Sequence, residues 1–169
     1  MVVEERLRAR GLILPAAPKP PNDLPIPYAW VRVWGDRAYI AAHPPLLPDG
    51  TLAGPFGKVG AEVSPETATH AARLTALSIL GSLQRALGDL DRVVAWLRVC
   101  GMVQAAPGFT RLADVINGFS DLLNELYGPV VGSHARSAVG MAMLAFNNCV
   151  VIEAEVAITP PLSEESKNL

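Results

Sequence analysis

Arg92-Val-Val-Ala-Trp-Leu-Arg-Val-Cys-Gly-Met-Val-Gln104 is β-branched and nearly continuous in hydrophobicity. That pattern belongs to a strand at the centre of a sheet. Downstream, Leu112, Val115, Ile116, Phe119, Leu122, Leu123 and Leu126 recur three and four apart, which predicts a helix stopped by Gly128-Pro129. Upstream, Ser64-Pro65-Glu66 combines a serine cap, a proline at the first helical position and an acid near the positive dipole end. Ala72, Ala76, Ile79, Leu80, Leu83 and Leu87 then form one apolar face, and Gly88 closes the helix.

Beyond these lie four more strand segments. Ala29–Gly35 and Arg37–His43 flank the hairpin signal Gly35-Asp36. Strands at about Ser137–Leu144 and Cys149–Ile158 flank the polar turn Phe146-Asn147-Asn148. Residues 2–10 read as a short helix ending at Gly11, and Pro44–Gly60 as loop. Pro15–Pro27 holds six of the fifteen prolines and reads as an extended arm laid over the domain. The division is an N-terminal helix and arm over 1–27, a folded domain over 28–158 and a flexible tail over 159–169.

The order β-β-α-β-α-β-β describes an α/β protein with a mixed sheet and two helices on one face. The other face is left for water or a second subunit. The composition points the same way: 50% of the 169 residues are hydrophobic and 18% charged, a surplus that suits a partner-covered surface. A net charge of −2 and a pI near 5.9 provide no cationic excess for phosphate, so a nucleic-acid partner is not favoured. The mixed charges of the first ten residues are not a secretory signal, and no apolar run is long enough to span a membrane. Cys100 and Cys149 then read as free, buried thiols of a cytoplasmic protein, the alternative being a single disulfide between them. His43, His70 and His134 lack any paired ligand spacing, so no metal site is read. No phosphate-binding or dinucleotide loop implies a cofactor.

Candidate chemistry concentrates near Gly132-Ser-His-Ala-Arg-Ser-Ala-Val-Gly140. Arg136, at the mouth of a strand after a glycine-containing loop, offers a planar fork for a carboxylate or phosphate, or else forms a surface ion pair. Asn117 is polar beside the apolar stripe of its helix, where asparagine is a poor helix former. It either bonds something specific or lies partly exposed. His134 titrates near neutrality, although loop histidines are often idle. Glu153 and Glu155 share one strand face, as an acid–base pair or as a solvated or interface-lining edge.

The run His134-Ala-Arg-Ser-Ala-Val-Gly140, followed at strand spacing by Val151-Ile-Glu-Ala-Glu155, resembles the C-terminal signature of the RidA/YjgF family, also known as endoribonuclease L-PSP. Pro27-Tyr28, Gly35, Gly88-Asp-Leu-Asp-Arg-Val-Val94 and Phe109–Asn117 agree in order and spacing, so the resemblance spans Tyr28–Ile158. Gly57-Lys-Val-Gly60 and the long arm are similar to a less characterised branch. The resemblance implies a chorismate-mutase-like fold and a barrel-shaped homotrimer with three clefts between neighbouring subunits. It implies a small carboxylate or keto-acid ligand held by Arg136, with Tyr28, Asn117 and Ala138 at pocket positions. Family members hydrolyse enamines or imines to keto acids and ammonia with a glutamate on the last strand. Here that position is Val151, the usual cysteine is Ala138, and the "S-G-Q" closing the second strand is Ala41-Ala42-His43. Glu153 and His43 are the substitutes for the missing acid–base group, with His134 a further one. The implied function is hydrolysis of an enamine, imine or related small metabolite, the alternative a non-catalytic metabolite-binding protein, and third an endoribonuclease or translation inhibitor.

Overall fold

Three helices, α1 (Val2–Ala9), α2 (Pro65–Leu87) and α3 (Leu112–Val131), combine with five strands. These are β1 (Val31–Trp34), β2 (Arg37–His43), β3 (Val93–Gln104), β4 (Ala135–Met141) and β5 (Val150–Ile158). The computed structural model describes residues 2–160, so most of the tail expected over 159–169 lies outside the described residues. The strands form one sheet of order β1-β2-β5-β3-β4. β3 pairs antiparallel with β5 and parallel with β4, which makes the sheet mixed. Parallel neighbours need a crossover, and α3 supplies it.

Alternation along the strands places Ile40, Val99, Val103, Ile152 and Val156 under the helices, all buried. Trp96 stacks edge-on against Phe119 and Tyr127 of α3, with ring centroids 6.0 and 5.9 Å apart. α2 begins as its sequence requires, with Ser64 Oγ accepting the Thr67 N–H at 3.2 Å, and ends at Gly88, which has φ 79°. The two helices approach closely at Gly118, where a Cβ would lie 2.1 Å from the Thr69 carbonyl oxygen. α1 packs Val3 and Leu7 into the core, and its first turn is capped from a distance: Asp91 accepts the Val3 N–H at 3.0 Å. The arm is tied to the loop after β2 by Ala16 N–H to Pro48 O and Lys19 N–H to Gly50 O, both 2.9 Å.

Two expectations are corrected. Strand β4 covers Ala135–Met141 rather than Ser137–Leu144, so Arg136 lies inside the strand and not at its mouth. Past Met141 the Gln104 side chain replaces the ladder. Its Oε1 accepts the Leu144 N–H and its Nε2 donates to Asn147 Oδ1, each at 2.6 Å. Gly128 breaks α3 at φ 77° and ψ 172°, but a further turn follows to Val131. The uncovered sheet face is not uniformly apolar. Trp34, Tyr39, Val139 and Met141 are exposed there beside the Arg37–Glu155 ion pair at 2.6 Å. Cys100 and Cys149 are both free; Cys149 is buried, but Cys100 is only partly so and lines a cleft. No helix among the described residues is long and apolar enough to cross a membrane.

Candidate functional site

Arg136 sits on edge strand β4 opposite Val99, and this register turns its side chain toward α3. Helical spacing puts Ala113, Asn117 and Ser120 along the facing side of α3. One Arg136 Nη1 donates to Asn117 Oδ1 at 3.0 Å and to Ser120 Oγ at 2.9 Å, while Nη2 donates to the Ala113 carbonyl at 3.2 Å. A guanidinium has five N–H groups. Three are engaged among the described residues, which leaves two on a partly exposed side chain at the sheet edge. The arginine is therefore held in position while keeping donors for a carboxylate. Ala138, two residues on and opposite Gly101, continues the same face without bulk.

His134 completes this cluster. Its Nδ1 lies 2.7 Å from the Gly132 carbonyl and its Nε2 3.0 Å from Ser120 Oγ. A carbonyl only accepts, so Nδ1 carries the proton in the neutral ring and Nε2 receives the Ser120 O–H. Burial first, and then the Arg136 charge, hold this imidazole below its usual 6.5, against the opposing pull of the Gly132 carbonyl. The sequence signal for Ser120 is its spacing: a hydroxyl three residues after Asn117 shares that residue's helix face.

The remaining predicted residues lie elsewhere. Glu153 is on the opposite sheet face from Arg136, in a cleft of about 530 Å³ with Arg98, Tyr39, Cys100 and Tyr28. Tyr28 also borders a second cleft of about 420 Å³, lined by Val151, Met102, Leu144, Phe146 and prolines of the arm. Its described lining contains no acid, and Lys19 is its charged member. Val151 thus faces an apolar space.

His43 is fully buried. Its Nδ1 donates to the Ala41 carbonyl at 2.6 Å, Ser82 Oγ lies 2.9 Å from Nε2, and Arg85 donates to the same oxygen at 2.9 Å and to Pro15 O at 2.9 Å. The ring ties β2, α2 and the arm together and has no path to Arg136. Burial dominates its titration and pushes it down to about 4, the Arg85 charge adding and the Ala41 carbonyl opposing. An imidazole with a lowered folded pKa charges first in the unfolded chain. Stability is therefore complete above about 6.5 and is lost as pH falls toward 4, by on the order of 3 kcal/mol. The carboxylates held low, such as Asp49 and Glu125, act in the same direction, beginning only as pH falls into the ordinary carboxylate range. Urea unfolding at pH 7.5 and 4.5 is expected to show this loss in the native chain and a clearly smaller one in His43→Gln.

The chain is 35% identical over 157 residues to Protein TCP17 of Trypanosoma cruzi, covering 92% of this chain and 94% of that one. Among solved structures, the protein Atu1372, of unknown function, from Agrobacterium tumefaciens is 36% identical at a TM-score of 0.81, covering 93% of this chain and 92% of that one. A proposed endoribonuclease from Shewanella oneidensis is 25% identical at a TM-score of 0.85, covering 94% and 100%. A RidA from Psychrobacter, at 21% identity and a TM-score of 0.55, covers 84% and 94% and shares the fold. No family model matches the sequence.

Proposed function

The chain belongs to the RidA/YjgF family, and from that premise we propose that it binds a small keto acid, or the imine or enamine that precedes it, at Arg136 and hydrolyses the carbon–nitrogen bond. The observation that carries this reading is the Arg136 clamp, with three bonds to α3 and two N–H groups that have no partner among the described residues, at a partly exposed edge. Tyr28, Val151 and Glu153 lie on the other side of the sheet, so within one chain they do not meet Arg136. A homotrimer with its clefts between cytoplasmic subunits would bring one chain's edge to its neighbour's clefts and cover the uncovered sheet face. The exposed Trp34, Val139 and Met141 on that face support such an assembly.

The test generates an enamine from serine with a dehydratase and follows keto-acid release. Acceleration over buffer at micromolar protein, from a species of three chains by light scattering, is the expected result. No acceleration overturns imine hydrolysis. A binding-only role is favoured by one observation, the apolar lining around Val151. It predicts a melting-temperature rise with pyruvate and no turnover. The endoribonuclease named for the Shewanella relative is less well supported, because this chain's net charge of −2 gives phosphate little general attraction.

A further inference from the structure

Hydrolysis at Arg136 needs a group that accepts a proton from water, and the apolar cleft around Val151 contains no acid among its described lining residues. Among the described residues, the two neighbours of the clamp that can exchange a proton are Ser120 and His134. Ser120 Oγ has one hydrogen and two lone pairs. The hydrogen goes to His134 Nε2 at 3.0 Å and one lone pair accepts from Arg136 at 2.9 Å. The second lone pair has no partner among the described residues, on a side chain that is half-buried. The ring beyond it is fixed from behind by the Gly132 carbonyl and packed edge-on at 6.4 Å against Phe119. This is the arrangement of a hydroxyl activated by an oriented base, placed against a carboxylate anchor.

We propose that Ser120 and His134 form a proton relay beside the Arg136 clamp and take the acid–base role that Val151 cannot fill. The inference rests on the imine-hydrolysis reading above. Water adds through its oxygen to the carbon of a protonated imine whose carboxylate is held by Arg136, and the C=N π pair moves to nitrogen. The water gives one proton to Ser120 Oγ while the Ser120 proton passes to His134 Nε2, leaving a neutral amino alcohol and an imidazolium. The proton returns by the same route to the amino nitrogen. The C–N bond then breaks, the hydroxyl proton leaves with the nitrogen, and the products are keto acid and ammonium. Ser120 touches the water; His134 acts through it as a positioning residue and proton store. Its partners are Ser120 on α3, Gly132 on its own loop and Phe119, and Arg136 on β4 is the charged group acting on it. Burial and that charge keep the ring neutral, and so able to accept, at neutral pH.

The test measures kcat/KM against pH with the serine-derived enamine, and pyruvate affinity in parallel, for the full chain and three variants. The native chain is expected to lose activity in acid with a midpoint below 6.5. His134→Gln and Ser120→Ala should fall by roughly 100-fold at pH 7.5, with pyruvate affinity within about threefold. His134→Gln should also lack the acid limb, and Ser120→Thr, which keeps the hydroxyl, should retain most of the rate. Variants as active as the native chain with the same acid limb overturn the relay alone, as does a rate loss matched by lost pyruvate affinity. A native chain that does not hydrolyse the enamine overturns the reading beneath it and the relay together. If His134→Gln does not fold, the contrast between Ser120→Ala and Ser120→Thr decides.

Discussion

Replacing Arg136 by alanine is expected to abolish carboxylate binding while leaving the fold nearly untouched. Two charge-assisted hydrogen bonds to a ligand carboxylate contribute about 1.5–3 kcal/mol each. Their joint loss corresponds to roughly 100-fold or more in affinity for pyruvate. The fold loses little because the arginine lies at a partly exposed edge, and water can replace it at Asn117 Oδ1, Ser120 Oγ and the Ala113 carbonyl. Arg136→Lys separates charge from geometry. An ammonium cannot reach three acceptors spread along α3 and still present a fork outward, so affinity should fall about tenfold even though the charge remains. Isothermal titration with pyruvate measures both. Alanine-variant binding within threefold of native would remove Arg136 from the site.

The largest structural effect is expected at Gly118. Alanine is favoured over glycine in a helix by about 1 kcal/mol, so on propensity alone the change should stabilise α3. The contact outweighs it. The new Cβ would stand 2.1 Å from the Thr69 carbonyl oxygen and 3.0 Å from its carbon. Both are backbone atoms of α2, so relief requires the helices to part. α2 and α3 bury Ile79, Leu80, Leu83, Ile116 and Phe119 in one core, and separation opens space among all of them. Overpacking of this kind costs typically 1–3 kcal/mol, occasionally more, and backbone on both sides puts Gly118→Ala at the upper end. A loss of about 3 kcal/mol means a melting temperature about 10 °C lower. Gly101→Ala is the comparison. Its Cβ would meet Ile116 side-chain atoms at 2.6 Å, and a side chain can turn away, so the cost should be smaller. Equal losses at the two glycines would refute the distinction.

Elements whose signal is local were legible in the sequence. The Ser64 cap, the stripe from Leu112 to Leu126 and the β-branched run of β3 each need only neighbouring residues to be recognised. The end of β4 was not legible, because Met141–Leu144 is as apolar as a strand. What stops it is the Gln104 amide, 40 residues away from Leu144 in sequence. The site divided along the same line. Asn117 and Arg136 were marked by residue type and lie together. Glu153 stands beside the family position on β5. Only the register decides its face: Val99 pairs with Arg136 on one side and Ala154 on the other, which sends Glu153 away from the clamp. His43 ends β2 at a loop boundary, where sequence does not reveal burial, and it belongs to the core.

The His43 and His134 clusters have the same wiring. In each, Nδ1 meets the carbonyl two residues earlier, Nε2 meets a serine hydroxyl, and an arginine donates to that hydroxyl. The chain therefore carries its own calibration standard. His43, fully enclosed, records what this wiring does to an imidazole when water is shut out, and His134 records it when water is admitted. Nitrogen chemical shifts of the two rings, followed across one pH series in one sample, separate the influence of bonding from that of enclosure. The smaller displacement is expected at His134, and a ligand carboxylate on Arg136 should move the His134 titration upward while leaving His43 unchanged.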